Sequence, residues 1–225
     1  MQEAKKRGLP GCLDAILVFL AATAMAAAVV ALKPVCPFLR GSASVVVAFL
    51  FILSTAAAVR LRGEDISLYG FDARGWRGEA LTVVVLCAVI FPVYFLGFGL
   101  YWHPPRPFHF ALAVPLWQLA LNNLLVVALP EELLFRGYIQ QRLGTLLTKR
   151  VRVLGFSLGW HIPAAALLFA LGHIATGFNP NRLATFFPAL VFGALKERRG
   201  SLIGCTLFHA ACNIFSEIVV RGYYR

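Results

Sequence analysis

Six side chains of chemically competent type stand in the second half of the chain among otherwise apolar residues. Glu131, Glu132 and Arg136 lie in Pro130-Glu-Glu-Leu-Leu-Phe-Arg, His173 closes Phe169-Ala-Leu-Gly-His, and His209 and Asn213 bracket His-Ala-Ala-Cys-Asn. An ionisable group in hydrocarbon costs roughly 2.5–3.5 kcal/mol on insertion scales, so each of these demands a partner. Neighbours on a helix point about 100° apart, and residues four apart share a face. Glu132 and Arg136 can therefore pair, which leaves Glu131 facing elsewhere as a base or a ligand. His209 and Asn213 project together. A carboxylate with an imidazole activates water, and a second imidazole with an amide steadies a developing oxyanion. The set Glu131, His173 and His209 would equally hold a zinc ion with one position open for water. Each motif also has a plain reading. The helix could end near Leu129, making the Glu-Arg cluster a surface feature. Each histidine could simply bond to a neighbouring helix, and Asn122-Asn123 reads best as interhelical glue. Taken jointly, polar groups on three helices are most cheaply satisfied by one shared cavity, opening toward the cytosolic half or sideways into lipid.

Composition sets what must carry these groups. The chain has 225 residues, 60% hydrophobic and 14% charged, with a mean hydropathy of +0.76. Soluble domains run about 45–50% apolar and about 25% charged, and a chain this short has too much surface to hide the excess. Disorder and a disulfide scaffold are excluded as well. The net charge of +11 comes from short clusters of Lys and Arg between apolar runs, which reads as topology signal and headgroup contact. No nucleic-acid partner is expected. The five cysteines form no CxxC pair, and four lie in apolar runs where Cys acts as a small hydrophobe. There is no HExxH, GxSxG, Walker loop or GxGxxG, and Ser157, Ser201 and Ser216 sit in no recognisable motif.

The expected fold is an all-α, multi-pass transmembrane bundle of about seven spans, six to eight being compatible with the pattern. The spans are Leu13 to Leu32, Gly41 to Val59, Ala80 to Leu100, about Pro115 to Leu147, Trp160 to Phe178, Leu183 to Leu195 and Leu202 to Val220. The small residues Ala22 to Ala28 mimic a signal-peptide cleavage region, but the apolar run continues past them, favouring an uncleaved anchor. The fourth run is interrupted only by Pro130, Gly137 and Gly144 and would be roughly 50 Å long, more than a bilayer needs. The sixth is short for a full crossing. Arg60 to Glu79 reads as a cytosolic or interfacial connector of amphipathic character. Of the 21 Lys and Arg, 15 fall on the N-terminal side of this alternation, Lys5-Lys6-Arg7 included, and six on the other. The N-terminus is therefore expected in the cytoplasm. No repeat or linker divides the chain, so residues 1–225 are read as one integral-membrane domain.

The order Glu131-Glu132-Leu-Leu-Phe-Arg136, Phe169-x-x-x-His173 and His209-x-x-x-Asn213 resembles the CAAX protease and bacteriocin-processing family of intramembrane proteases, which includes the Rce1-type prenyl-protein endopeptidases. Phe187-Pro-Ala-Leu-Val-Phe-Gly193 and Arg199-Gly-Ser-Leu202 are similar to its third region, and the resemblance spans about residues 116–215, a catalytic core. It implies that Glu131 and His173 activate the attacking water. It implies too that His209 and Asn213 bind the scissile carbonyl and its oxyanion, and that Glu132 and Arg136 brace the site, with Glu132 a candidate for direct participation. Members are described both as metalloproteases and as metal-independent glutamate proteases. The matched residues suffice without a cofactor, a divalent ion such as zinc being the alternative. The expected partners are the bilayer and a protein or peptide substrate cut near its C-terminus or membrane anchor. The Ala/Arg-rich chain looks bacterial, which places it in an inner membrane without prenylated CAAX proteins. Trimming of a sorting or anchor segment then ranks ahead of peptide maturation. The rival classes are a proton-coupled transporter, which would be expected to carry an inverted repeat with paired broken helices, and a non-catalytic adaptor.

Overall fold

In hydrocarbon a backbone has no water to bond, so apolar runs must close their hydrogen bonds within helices. The computed structural model describes residues 11–153 and 156–224. The basic segment Lys5-Lys6-Arg7 and the side chains of Cys12 and Ser157 lie outside the described residues. Seven helices carry the described chain: α1 (Gly11–Leu32), α2 (Pro37–Leu61), α3 (Trp76–Trp102), α4 (Leu116–Gly144), α5 (His161–Ala175), α6 (Phe186–Arg199) and α7 (Ile203–Tyr224). The fold is the expected all-helical membrane bundle. Helices α1, α2, α3, α4 and α7 are long and apolar enough to cross a bilayer, whereas α5 and α6 have 15 and 14 residues. At 1.5 Å per residue the two short helices reach about 20 Å, less than the hydrocarbon thickness.

Helix α4 runs through the middle, against α1, α2, α5, α6 and α7, while α3 packs on α7 at the edge. It is not a uniform α-helix. Asn122–Ala128 and Leu133–Gln140 are wound as π-helix around one α-helical turn, Leu129–Glu132. Pro130 explains the first widening, since it has no N–H to donate and its ring crowds the carbonyl one turn earlier. Ring-on-ring contacts weld α4 to its neighbours: Phe135 meets Phe19 of α1, Phe51 of α2 and Phe169 of α5, with centroids 6.3, 6.4 and 5.0 Å apart.

The α2–α3 connector departs from expectation. It holds a single 3₁₀ turn, Ile66–Tyr69, and, unlike a merely interfacial segment, it buries Tyr69 fully, stacked on Tyr138 of α4 at 5.5 Å. A polar cluster explains the docking. The Tyr138 hydroxyl donates to Asp14 at 2.6 Å, Arg62 and Arg142 reach Asp14 at 3.3 and 3.4 Å, and both arginines also pair with Glu64. Tyr69 donates its phenol proton to Glu64. Burial pushes the Glu64 carboxyl up, but the bonds from Tyr69 and Arg62 outweigh it and hold it below the usual range. Burial, then Glu64, raises the Tyr69 phenol to about 12. The second departure is an antiparallel hairpin, Arg150–Val153 with Phe156–Gly159, between α4 and α5. Residues 150–159 are too few for a helix of useful length and include two β-branched valines, Val151 and Val153.

The start of α7 is held by a carboxylate from α3. Glu79, 3% exposed, accepts the Gly204 amide at 2.6 Å. This satisfies one of the orphan donors of the first helical turn and places negative charge at the positive end of the helix dipole. Glu79→Ala is expected to destabilise the protein by about 1–2 kcal/mol. The readout is a lower thermal midpoint in detergent, with Glu79→Gln, which keeps an acceptor, falling less.

Candidate active site

The expected pair forms at the centre of α4. Arg136 Nη1 donates to Glu132 Oε1 at 3.0 Å, and both side chains are out of contact with solvent, at 1% and 0% exposure. Arg136 Nη2 also donates to the Ala189 carbonyl of α6 at 3.3 Å. Its cationic carbon lies 4.4 Å over the Phe169 ring and 5.1 Å over Phe192, so two mutually perpendicular rings flank the charge.

His209 enters from α7. Its Nδ1 stands 2.8 Å from the same Glu132 oxygen, and its Nε2 stands 3.8 Å from Glu131 Oε2. Adjacent carboxylates do diverge, but an imidazole presents nitrogens on two edges, so one ring inserted between them meets both. Phe192 stacks flat on that ring at 4.7 Å and fixes its plane. An ionised carboxylate only accepts hydrogen bonds, so Nδ1 carries the proton toward Glu132 and Nε2 is the nitrogen aimed at Glu131.

His173 is set by the same logic. Its Nδ1 faces the Phe169 carbonyl at 3.0 Å, an acceptor, which leaves Nε2 with its lone pair free. The Phe169 ring is the wedge between the two imidazoles, 4.4 Å from His173 and 5.8 Å from His209 between centroids. Glu131 and His173 line one cavity of about 230 Å³, walled by Thr23, Lys33, Ser44 and small apolar residues of α1 and α2. Glu131 Oε2 is buried and has no hydrogen-bond partner within the protein, its nearest polar neighbour among those described being His209 Nε2 at 3.8 Å.

The site therefore gathers Glu131, Glu132, Arg136, His209 and, across Phe169, His173. Asn213 lies one turn beyond His209 and lines a separate surface cavity with Ser216 and Glu217. Asn123 bonds back to the Leu119 carbonyl of its own helix at 2.9 Å, so the expected interhelical bond is replaced by a local one. The cavity runs from Glu131 past Val126, Val30 and Lys33 to Thr176. Sequence reasoning assigned no role to Phe192, although its motif was in view, and it found no wall residue on α1 or α2. Small and aliphatic side chains in a span carry no mark of which face lines a cavity.

Among the described residues no three His, Cys, Asp or Glu side chains converge on one point, so the donors as placed do not form a three-ligand metal centre.

The family description "Type II CAAX prenyl endopeptidase Rce1-like" matches residues 113–215, which span α4 to α7 and hold every residue of the cluster. Over that segment the chain is similar to the Rce1-like family. Comparison with curated proteins and with solved structures gives no match. The Rce1-like assignment supports a protease acting on protein substrates in a membrane.

Proposed function

We propose that this Rce1-like protein is a metal-independent intramembrane endopeptidase that trims a membrane-proximal sorting or anchor segment from protein substrates in a bacterial inner membrane. The observation that carries the reading is the shared cavity of Glu131 and His173, with His209 standing behind Glu131. Water in that cavity gives a proton to Glu131 as it attacks the scissile carbonyl, with His173 Nε2 orienting it. Glu131 then returns the proton to the leaving amine, so the two hydrolysis products balance one water. His209 donates from Nε2 to the developing oxyanion. Donating there while Nδ1 donates to Glu132 requires an imidazolium, and the buried Glu132 carboxylate stabilises that charge. Asn213, on the same face of α7, joins as a second donor to the substrate carbonyl once substrate is bound.

The test is terminal profiling by mass spectrometry of membrane proteins from cells carrying wild-type protein or His173→Ala. A set of new C-termini at anchor boundaries, present with wild type and lost with the variant, is expected. Identical profiles, with both proteins folded and equally abundant, would overturn the reading.

A further inference from the structure

The last turn of α5 carries His173 and is short of a donor. In a continuing helix the His173 carbonyl would accept the Gly177 amide, but that amide bonds instead to Ile174 at 3.1 Å. The orphan is one of the four carbonyls that any helix end leaves open. Arg182, nine residues on, supplies the missing donor: its Nη1 lies 2.9 Å from the His173 carbonyl and 3.5 Å from the Thr176 hydroxyl, which itself reaches the same carbonyl at 3.2 Å. The arginine is aimed by its own turn. Asn179 caps the 3₁₀ turn Pro180–Thr185 by accepting the Asn181 amide at 3.0 Å, its carbonyl takes the Arg182 amide at 3.0 Å, and the Thr185 hydroxyl closes on the Arg182 carbonyl at 2.7 Å. The guanidinium passes over Gly177, where a Cβ would stand 3.2 Å from Nη1. Glycine at that position keeps the path open.

We infer that Arg182 is a positioning residue that straps the C-terminal turn of α5 and so holds the His173 imidazole in the Glu131 cavity. The role rests on the proteolytic reading for its consequence, though not for its geometry. A cation at a helix C-terminus is favourable in itself. This one also replaces a backbone bond at the residue whose side chain faces the reacting water. Loss of the strap frees that turn, and His173 Nε2 leaves its aim while the buried Glu132, Arg136 and His209 cluster is undisturbed.

The experiment uses the full protein in proteoliposomes, as wild type, Arg182→Ala, Arg182→Lys and Gly177→Ala. Two readouts are independent of activity: the rate of diethyl pyrocarbonate modification at His173 relative to His209, and hydrogen exchange of the amides from 174 to 177. The third is cleavage of the fastest substrate among a set of internally quenched apolar peptides. In Arg182→Ala, His173 modification and local exchange should rise by about threefold or more, and kcat should fall by about tenfold with KM nearly unchanged. Gly177→Ala should move the same way, and Arg182→Lys should recover part of the loss. Unchanged modification and exchange would overturn the strap. Changed placement with wild-type kcat would overturn its positioning role. Absence of cleavage by wild type would sink the proteolytic reading, while the placement readouts still decide the strap.

Discussion

Glu131→Gln is expected to lower peptide-bond cleavage by about 10²–10⁴-fold, the range a positioned general base contributes. The substitution keeps size and shape but removes the ability to take a proton from water. The side chain is 18% exposed into the cavity and its Oε2 has no hydrogen-bond partner, so little stability depends on it. An unchanged thermal midpoint with lost turnover is therefore the signature, read by product release from proteoliposomes. Retained turnover would place the base elsewhere. Glu132 is the contrasting case. It is fully buried and contacts both Arg136 and His209, so its loss should reduce activity and folding together.

The second large effect falls on Arg136. Removing its guanidinium in Arg136→Leu leaves the Glu132 carboxylate buried beside His209 with its main counter-charge gone. Breaking one side of a buried pair costs about 3–5 kcal/mol, a large fraction of a typical stability. The expected result is a marked loss of folded yield and a much lower midpoint in detergent. Lysine should not rescue it, because one ammonium cannot serve Glu132, the Ala189 carbonyl and two aromatic faces at once. Neutralising both partners in Glu132→Gln/Arg136→Met should restore most of the stability, since an apolar replacement of a buried pair is often neutral or better. Activity should stay low, because the charge that supports the His209 imidazolium is absent. A stable, active Arg136→Leu protein would show that the pair carries neither burden.

The sequence by itself determined the class of the protein and the local pairing of its motifs. Hydropathy marks a membrane helix because the backbone must satisfy itself in lipid, and this located α1 through α4 to within a few residues. Helical spacing is equally local, so the Glu132–Arg136 pair could be read from i,i+4 alone. The packed helices alone reveal that His209 lies between both glutamates, that Phe169 separates the imidazoles, and that α1 and α2 wall the cavity. The same holds for the hairpin and for the burial of Tyr69. The reason is physical. Between helices in a membrane there is no contrast of apolar against aqueous surface to write a register into the sequence. Register is set instead by small residues, ring contacts and a few polar bonds, and these acquire meaning only when the helices are side by side.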